Sequence, residues 1–255
     1  VLLPGFDVDG VLDAAAAHEA SLFFGVPTMY HRLAASSRAA ELGRLRLCVS
    51  GSAALPAELH EALQRDAGVA VLERYGMTET NMLVSNPYDG ERRAGTVGLP
   101  LPGVEVRLAE ATGEIQVRGP NVFGGYWQRP DATAAAFTTD GWFHTGDLAD
   151  HDEAGYLRIL GRAKELIITG GYNVYPREVE DVLCAHPAVT DAAVVGVPST
   201  EWGETVVAHV VGTGDTPAVR AWAESQLAAF KRPRAYHWVE SLPRNALGKL
   251  QKHRL

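Results

Sequence analysis

The first third of the chain alternates short apolar runs with stretches of helical periodicity. The runs LFFGV, LRLCVS and AVLERY are typical of buried strands, and helix-like segments separate them. Asp9 and Thr28 are the expected N-caps of two helices, while Pro56 and Gly68 bracket a third. Strands that alternate with helices predict an α/β sheet, and ligands of such sheets bind at the carboxyl ends of the strands.

The pattern changes from Thr96 to Gly161, where VEVRL, EIQVRG and GYLRILGR alternate inward and outward positions and predict a small antiparallel unit. A compact α+β pattern follows Lys164. The predicted fold is therefore the C-terminal part of a large α/β domain, which includes the antiparallel unit, followed by a small α+β domain. We place the domains at 1–163 and 164–255, because the charged segment 162–165 separates the two patterns.

Charge and cysteine content narrow the function classes. The chain has 23 basic and 31 acidic side chains, a net charge of −8, which argues against a nucleic-acid partner. Its two cysteines fit no metal or redox spacing and favour a reducing, cytoplasmic location. No apolar run reaches the length of a membrane span, so we expect small-molecule ligands and no membrane partner.

The segment ERYGMTET concentrates ligand-binding chemistry at the end of a predicted strand. Tyr75 could stack on a purine, Gly76 permits close approach, Thr78 could bind a phosphate oxygen, and Glu79 could hold Mg²⁺. The alternative is an ordinary polar turn, which the residue types alone favour.

Two further features are open to two interpretations each. Asp147 follows a glycine turn and could accept both ribose hydroxyls with Arg162 nearby, or the two could form an ion pair that ties the hairpin together. Lys249 follows a predicted turn at residues 245–248 and could neutralise a carboxylate or phosphoryl group, or it could be a solvated lysine.

Seven motifs in order identify a family. FFGVPTMYHRL, VSGSAAL, ERYGMTET, GEIQVRGP, HTGDLA, GRAKELIITGGYNVYPREVE and LPRNALGK resemble the successive core motifs of AMP-forming acyl-CoA synthetases. Peptide-synthetase adenylation domains and firefly luciferases belong to the same superfamily. The segment from Arg74 to Val104 is most similar to malonyl-CoA synthetases.

The resemblance implies an acid–thiol ligase. The acid is adenylated by MgATP with release of pyrophosphate, and coenzyme A then displaces AMP. The motif positions imply that ATP or AMP is bound by Gly51, Ser52, Ala53, Tyr75, Gly76, Thr78, Asp147, Arg162 and Lys249. Lys249, Thr78 and Glu79 are the implied catalytic residues, with Glu79 supporting the metal. Lys164 occupies the hinge position, and Gly170, Gly171 and Tyr172 form the coenzyme A side.

Malonate or methylmalonate is the expected acid, since Arg32 and Arg74, with Ser52 nearby, match arginine contexts of the malonyl-CoA synthetases. A second, unreacted carboxylate needs a cation if it is to be buried. The alternative is a helix-surface Arg32 and an Arg74 paired with Glu73. Supply of malonyl units to fatty acid or polyketide synthesis is a family-level expectation.

One family element is absent from the sequence: no glycine-rich, lysine-bearing phosphate loop precedes Phe23. We therefore expect the chain to begin partway through the large domain and to work with an N-terminal half. This leaves two alternatives to an active ligase. One is an inactive or split-enzyme fragment that retains nucleotide or coenzyme A binding, and the other is an adenylation module for another acid.

Overall fold

The computed structural model describes residues 1–245 and 250–255, which form two compact units. The first contains Val1–Thr145 and Ala149–Ile159, and the second contains Gly146–Leu148 and Leu160–Leu255. Domains at 1–163 and 164–255 stay a prediction. The elements are α1 (Val8–Ala17), β1 (Leu22–Gly25), α2 (Pro27–Ala34), β2 (Leu47–Ser50), α3 (Ala57–Ala67), β3 (Leu72–Met77), β4 (Asn81–Ser85), β5 (Leu99–Pro100), β6 (Glu105–Leu108), β7 (Glu114–Arg118), α4 (Pro130–Ala135), β8 (Phe143–His151), β9 (Leu157–Arg162), β10 (Ile167–Thr169), β11 (Tyr172–Val174), α5 (Pro176–Cys184), β12 (Val189–Ser199), β13 (Gly203–Gly212), α6 (Thr216–Gln226) and β14 (Ala235–Trp238).

Short 3₁₀ turns complete the secondary structure at Ala39–Arg44, Ala163–Glu165, Ala229–Lys231 and Lys252–Arg254. Within the described ranges, none of the helices has both the length and the apolarity that a membrane crossing requires.

The predicted α/β sheet is confirmed in the first unit. Five strands lie in the order β1-β2-β3-β4-β5; the first three are parallel, and β4 and β5 continue the sheet in antiparallel pairing. Helices α2 and α3 follow β1 and β2, and their apolar sides contribute Tyr30, Leu33 and Leu63 to one core. Because β1 forms one edge, its side chains are less covered: Phe24 remains 60% exposed.

The helix caps differ in part from the prediction. Helix α1 begins two residues earlier than Asp9 would place it, because the Asp7 carboxylate accepts the Gly10 N–H at 2.7 Å. Thr28 is not a cap, since α2 starts at Pro27, whose fixed φ suits the first helical position. Gly68 ends α3 with φ +68°, the left-handed conformation expected there.

The predicted antiparallel unit is a four-stranded sheet in the order β6-β7-β8-β9. Its core in the first unit includes Ile115, Val117 and Leu157, all at most 1% exposed. The centre of β8 and the end of β9 belong to the second unit.

The second unit is α+β, as expected. Strands β12 and β13 pair along their whole length, and the sheet runs β11-β10-β13-β12 with β14 alongside β13. Helices α5 and α6 contribute Val179, Leu183, Val219 and Ala223 to a core shared with these strands.

The C-terminal tail is anchored to the second unit. Arg244 and Leu250 form an isolated antiparallel bridge, and the Gln251 N–H donates to the Pro243 carbonyl at 2.8 Å. Lys252 Nζ lies 2.7 Å from Glu180 Oε1 and 3.3 Å from Glu165 Oε2. We name Arg244, Gln251 and Lys252 the tail clasp.

A buried histidine makes stability depend on pH. His60 on α3 is 1% exposed, and neither ring nitrogen has a hydrogen-bond partner among the described residues. Burial, the main cause, lowers its pKa in the folded protein. As pH falls through the ordinary imidazole value of about 6.5, the unfolded chain takes a proton that the folded chain resists. We expect the free energy of unfolding to fall from that point until the lower folded pKa is reached.

Urea unfolding at about pH 7.5 and about pH 5.5 checks this expectation. His60→Leu should remove part of the pH dependence, whereas His18→Leu, at an exposed site, should keep it. An unchanged slope in His60→Leu would contradict the assignment.

Candidate functional site

The carboxyl ends of β1 and β2 lie level with each other, and β3 begins beside the end of β2 and extends beyond it. Gly25 pairs with Ser50, and Ser50 pairs with Glu73, so the loop after β2 begins next to Arg74. The structure therefore brings the predicted loop Gly51–Ala54 next to Arg74 of β3, and the predicted segment that begins at Tyr75 continues from there along the same strand.

The loop at Gly51–Ala54 has an unusual backbone. Ser52 adopts φ +70° and is exposed with Ala53, while Gly51 is buried. The Glu73 carboxylate fixes the end of the loop, because its Oε1 accepts the Leu55 N–H at 2.7 Å. Non-glycine residues in this conformation cluster at ligand sites, so the loop is a candidate platform for a ligand.

Arg74 is a half-buried cation beside this loop. A side chain at Gly51 would come within 3.1 Å of its Nη1, so the guanidinium packs directly on the glycine. The same Nη1 donates to the thioether sulfur of Met82 at 2.8 Å, and among the described residues Arg74 has no carboxylate partner. The alternative pairing with Glu73 is therefore not what the structure contains.

Arg32, the second predicted arginine, is exposed on α2. Its guanidinium lies 4.8 Å from the centre of the Phe6 ring, and Nη1 donates to the Phe6 carbonyl at 3.4 Å. This is the surface position that the alternative interpretation expects, and binding of the substrate carboxylate by Arg32 stays a prediction.

The end of β3 and its turn carry the second predicted cluster. Tyr75 is half-buried against the core of the antiparallel sheet, and Thr78 is exposed. Gly76 has no room for a side chain, since a Cβ there would collide with the Asn81 backbone at the bulge between β3 and β4. The glycine thus has a packing role, and its contact with a nucleotide stays a prediction.

Glu79 is the only predicted metal ligand, and a neighbouring tyrosine orients it. Tyr126 Oη donates to Glu79 Oε1 at 3.1 Å; burial and then this hydrogen bond raise the tyrosine pKa. No group of three or more His, Cys, Asp or Glu side chains that could hold a metal occurs in the described part of the chain. A single carboxylate fits Mg²⁺ bound mainly through substrate phosphates, because Mg²⁺ keeps few protein ligands in such sites.

In the second unit, Asp147 and Arg162 form an ion pair. Arg162 Nε lies 2.9 Å from Asp147 Oδ1, and the Asp147 side chain is 8% exposed. The predicted proximity is confirmed, and so is the ion pair of the alternative interpretation. Binding of a ribose by this pair stays a prediction.

The glycine pair at residues 170 and 171 forms the turn between β10 and β11. Both glycines have positive φ, +56° and +83°, which matches the strand twist in a two-residue hairpin turn. Tyr172 is exposed and stacks on Phe230 with 4.7 Å between ring centres. Lys164 is exposed in the 3₁₀ turn that precedes β10. Their coenzyme A and hinge roles stay predictions.

Lys249 lies outside the described residues, as do residues 246–248 of its predicted turn. The residues of the tail clasp lie on both sides of this stretch. Among them, Arg244 Nη2 lies 2.6 Å from Asp191 Oδ2.

Sequence reasoning missed two polar residues around the site. Asn86 is buried and holds the strand ends, since its Nδ2 donates to the carbonyls of Thr96 and Glu73. Tyr126 reaches Glu79 across 47 positions of sequence. Neither contact has a local pattern, although the GGYW segment that carries Tyr126 could have drawn attention as an aromatic turn.

Several known proteins similar to this chain are named as CoA ligases. A family model described as AMP-binding enzyme matches residues 1–127, and one described as AMP-binding enzyme C-terminal domain matches residues 178–249. The chain is 38% identical to a malonate–CoA ligase of Arabidopsis thaliana over 99% of this chain and 48% of that protein. It is 39% identical to a long-chain-fatty-acid–CoA ligase of Bacillus subtilis over 100% of this chain and 48% of that protein.

A solved structure of a similar protein has the same fold. ATP-bound MatB from Rhodopseudomonas palustris has a TM-score of 0.93 and 48% sequence identity, covering 99% of this chain and 53% of that one. The chain spans about half the length of the curated relatives that it matches.

Proposed function

The chain belongs to the AMP-binding enzyme family. From this premise we propose that it carries out the reaction of an acid–thiol ligase, which makes an acyl-CoA. In the first step a carboxylate oxygen of the acid attacks the α-phosphorus of ATP, and pyrophosphate leaves. In the second step the thiol of coenzyme A attacks the acyl carbon, AMP leaves, and the thiol proton is released. Small dicarboxylic acids, malonate or methylmalonate, are the proposed substrates. A cytoplasmic location is part of the proposal.

The proposal rests mainly on the surroundings of the Arg74 guanidinium. A half-buried guanidinium with a thioether as its hydrogen-bond acceptor is poorly compensated, because burying a charge is costly unless it is paired. The unreacted carboxylate of malonate would supply the missing anion next to the Gly51–Ala54 loop. Malonate–CoA ligases and MatB among the similar proteins support the same acid.

The remaining residues have proposed roles at the nucleotide. Tyr75 and the loop at Gly51–Ala53 would flank the adenine, Thr78 would bind the α-phosphate, and Asp147 with Arg162 would hold the ribose. Glu79 would hold Mg²⁺, which when bound neutralises phosphate charge. Lys249 would bridge the acid and the α-phosphate, where charge develops during the first step.

A second candidate function rests on β1. Strands of a parallel sheet are usually covered on both faces, yet Leu22 and Phe24 are 40% and 60% exposed. This apolar face fits a chain that works together with a further segment. In that case the chain alone would bind nucleotide or coenzyme A and make no product.

Mass-spectrometric detection of acyl-CoA tests the proposal. The purified chain is incubated with MgATP, coenzyme A and malonate or acetate, with Lys249→Ala as the background control. Malonyl-CoA above that background supports the ligase. A folded sample that binds AMP and yields no product from either acid favours the second candidate.

Replacing Arg74 should change acid selectivity. We expect Arg74→Ala to lower kcat/KM for malonate roughly 10–100-fold, the value of one charge-assisted hydrogen-bonded contact, with little change for acetate. Arg32→Ala should show the same selective loss if both arginines face the carboxylate. Arg46→Ala, which removes an exposed arginine from Tyr88, is the matched control. Equal losses for both acids in both variants would contradict the dicarboxylate pocket.

A further inference from the structure

The carboxylate of Glu79 is oriented by a residue that no motif singled out. Tyr126 Oη donates to Glu79 Oε1 at 3.1 Å. The described part of the chain gives the second oxygen, Oε2, no hydrogen-bond partner, so one oxygen is fixed and the other is available to a ligand.

The segment Gly119–Tyr126, which we name the brace, also holds the backbone at Glu79 and just after it. The Phe123 N–H donates to the Glu79 carbonyl at 2.8 Å. Asn121 Nδ2 donates to the carbonyls of Thr80 at 2.7 Å and Met82 at 3.1 Å. Backbone and carboxylate are thus held by the same segment, which restricts both the position and the rotation of the glutamate.

The brace is itself packed against neighbouring side chains. The Phe123 ring packs edge-on against Phe143 with 5.4 Å between centres, and the Tyr126 ring packs edge-on against Phe123 at 4.8 Å. The Tyr126 N–H donates to Thr133 Oγ1 in α4 at 2.9 Å. These contacts hold the tyrosine ring without its hydroxyl, so the hydroxyl hydrogen bond is separable from the packing.

We propose that Tyr126 is a positioning residue that presents Glu79 to the magnesium ion of MgATP. The inference rests on the proposed function. Outer hydrogen bonds orient the carboxylates that bind metals, and their loss typically weakens metal affinity 10–100-fold. Mg²⁺ demands a near-ideal octahedral arrangement, so a carboxylate that rotates freely binds it less well than one held by a donor.

Nucleotide binding by the whole chain tests the proposal without turnover. We expect Tyr126→Phe to weaken Mg²⁺-dependent ATP binding about tenfold in calorimetric titrations, and to leave binding of metal-free AMP unchanged. Trp127→Phe is the matched control, since this neighbouring ring is 88% exposed. A thermal melt of each variant checks that the fold is kept.

A double-mutant cycle identifies the partner. In a Glu79→Gln background, Tyr126→Phe should cause no further loss of MgATP affinity, because the hydroxyl acts through that carboxylate. Additive losses would overturn the proposal, as would equal weakening of AMP and MgATP in Tyr126→Phe. Wild-type affinity of Tyr126→Phe for MgATP would overturn the proposal and leave the proposed function standing. A wild-type chain that binds neither nucleotide would overturn both.

Discussion

Lys249→Ala is expected to slow adenylation of the acid by about 10²–10³-fold, the usual effect of removing one donor that stabilises charge in a transition state. Negative charge builds up on the α-phosphate oxygens as the acid attacks, and an ammonium group placed there stabilises this charge. Acid-dependent exchange of labelled pyrophosphate into ATP measures this step alone.

The second half-reaction provides the control for Lys249. Formation of acyl-CoA from a synthetic acyl-adenylate should proceed at nearly the wild-type rate in Lys249→Ala, because the lysine acts before AMP is displaced. Arg254→Ala removes another positive charge from the same tail and should leave both steps unchanged. Equal loss in both half-reactions would assign Lys249 a role in folding rather than in adenylation.

Lys252→Met is expected to lower the free energy of unfolding by roughly 3 kcal/mol near neutral pH. The Lys252 and Glu180 side chains are 15% and 13% exposed, so removing the lysine leaves a nearly buried carboxylate without its ammonium partner. Glu180 Oε1 also accepts the Val194 N–H at 2.8 Å, which keeps the carboxylate in place. Urea unfolding followed by circular dichroism measures the loss.

Acidification should reduce the loss of unfolding free energy that Lys252→Met causes. Burial, the larger cause, raises the pKa of Glu180 in the folded protein above its ordinary value, against the opposing effect of Lys252. A folded carboxyl with a raised pKa takes up a proton before the unfolded one, so the folded variant gains relative stability as pH falls toward the unfolded pKa. Without the lysine the pKa rises further, and the deficit of Lys252→Met shrinks across that range.

Two variants make the prediction for Lys252 specific. Adding Glu180→Gln to Lys252→Met should restore part of the stability, because the amide is neutral and still offers an oxygen to Val194. Arg254→Met, on the exposed side of the tail, should have almost no effect. A loss below about 1 kcal/mol in Lys252→Met would mean that the pair behaves like an exposed ion pair.

Local patterns predicted much of the fold. Gly68 at the end of α3, the parallel strands β1 to β3 and the glycine turn after β10 follow from rules that act within a few residues. The caps predicted at Asp9 and Thr28 were wrong for two different local reasons. Helix α1 uses Asp7, and Pro27 sets the start of α2 without any side-chain cap.

The candidate site was less predictable, because its geometry depends on distant contacts. The alternating faces of a strand already disfavour a pair between neighbours such as Glu73 and Arg74, since successive side chains point to opposite sides. In contrast, nothing near Glu79 indicates that Tyr126 reaches it, because that contact depends on how the sheets pack. The order of the motifs identified Asp147 and Arg162 as candidates, but the sequence does not give the distance between them, which is 2.9 Å from Arg162 Nε to Asp147 Oδ1.

The open position of β1 has a consequence for handling the protein. An edge strand offers unpaired N–H and C=O groups to any other strand that approaches, and Phe24 adds an apolar ring at the same place. Two copies of the chain can therefore join edge to edge in a reaction that is second order in protein. If such pairing occurs, dilution favours the single molecule, and assays at different protein concentrations would compare different species.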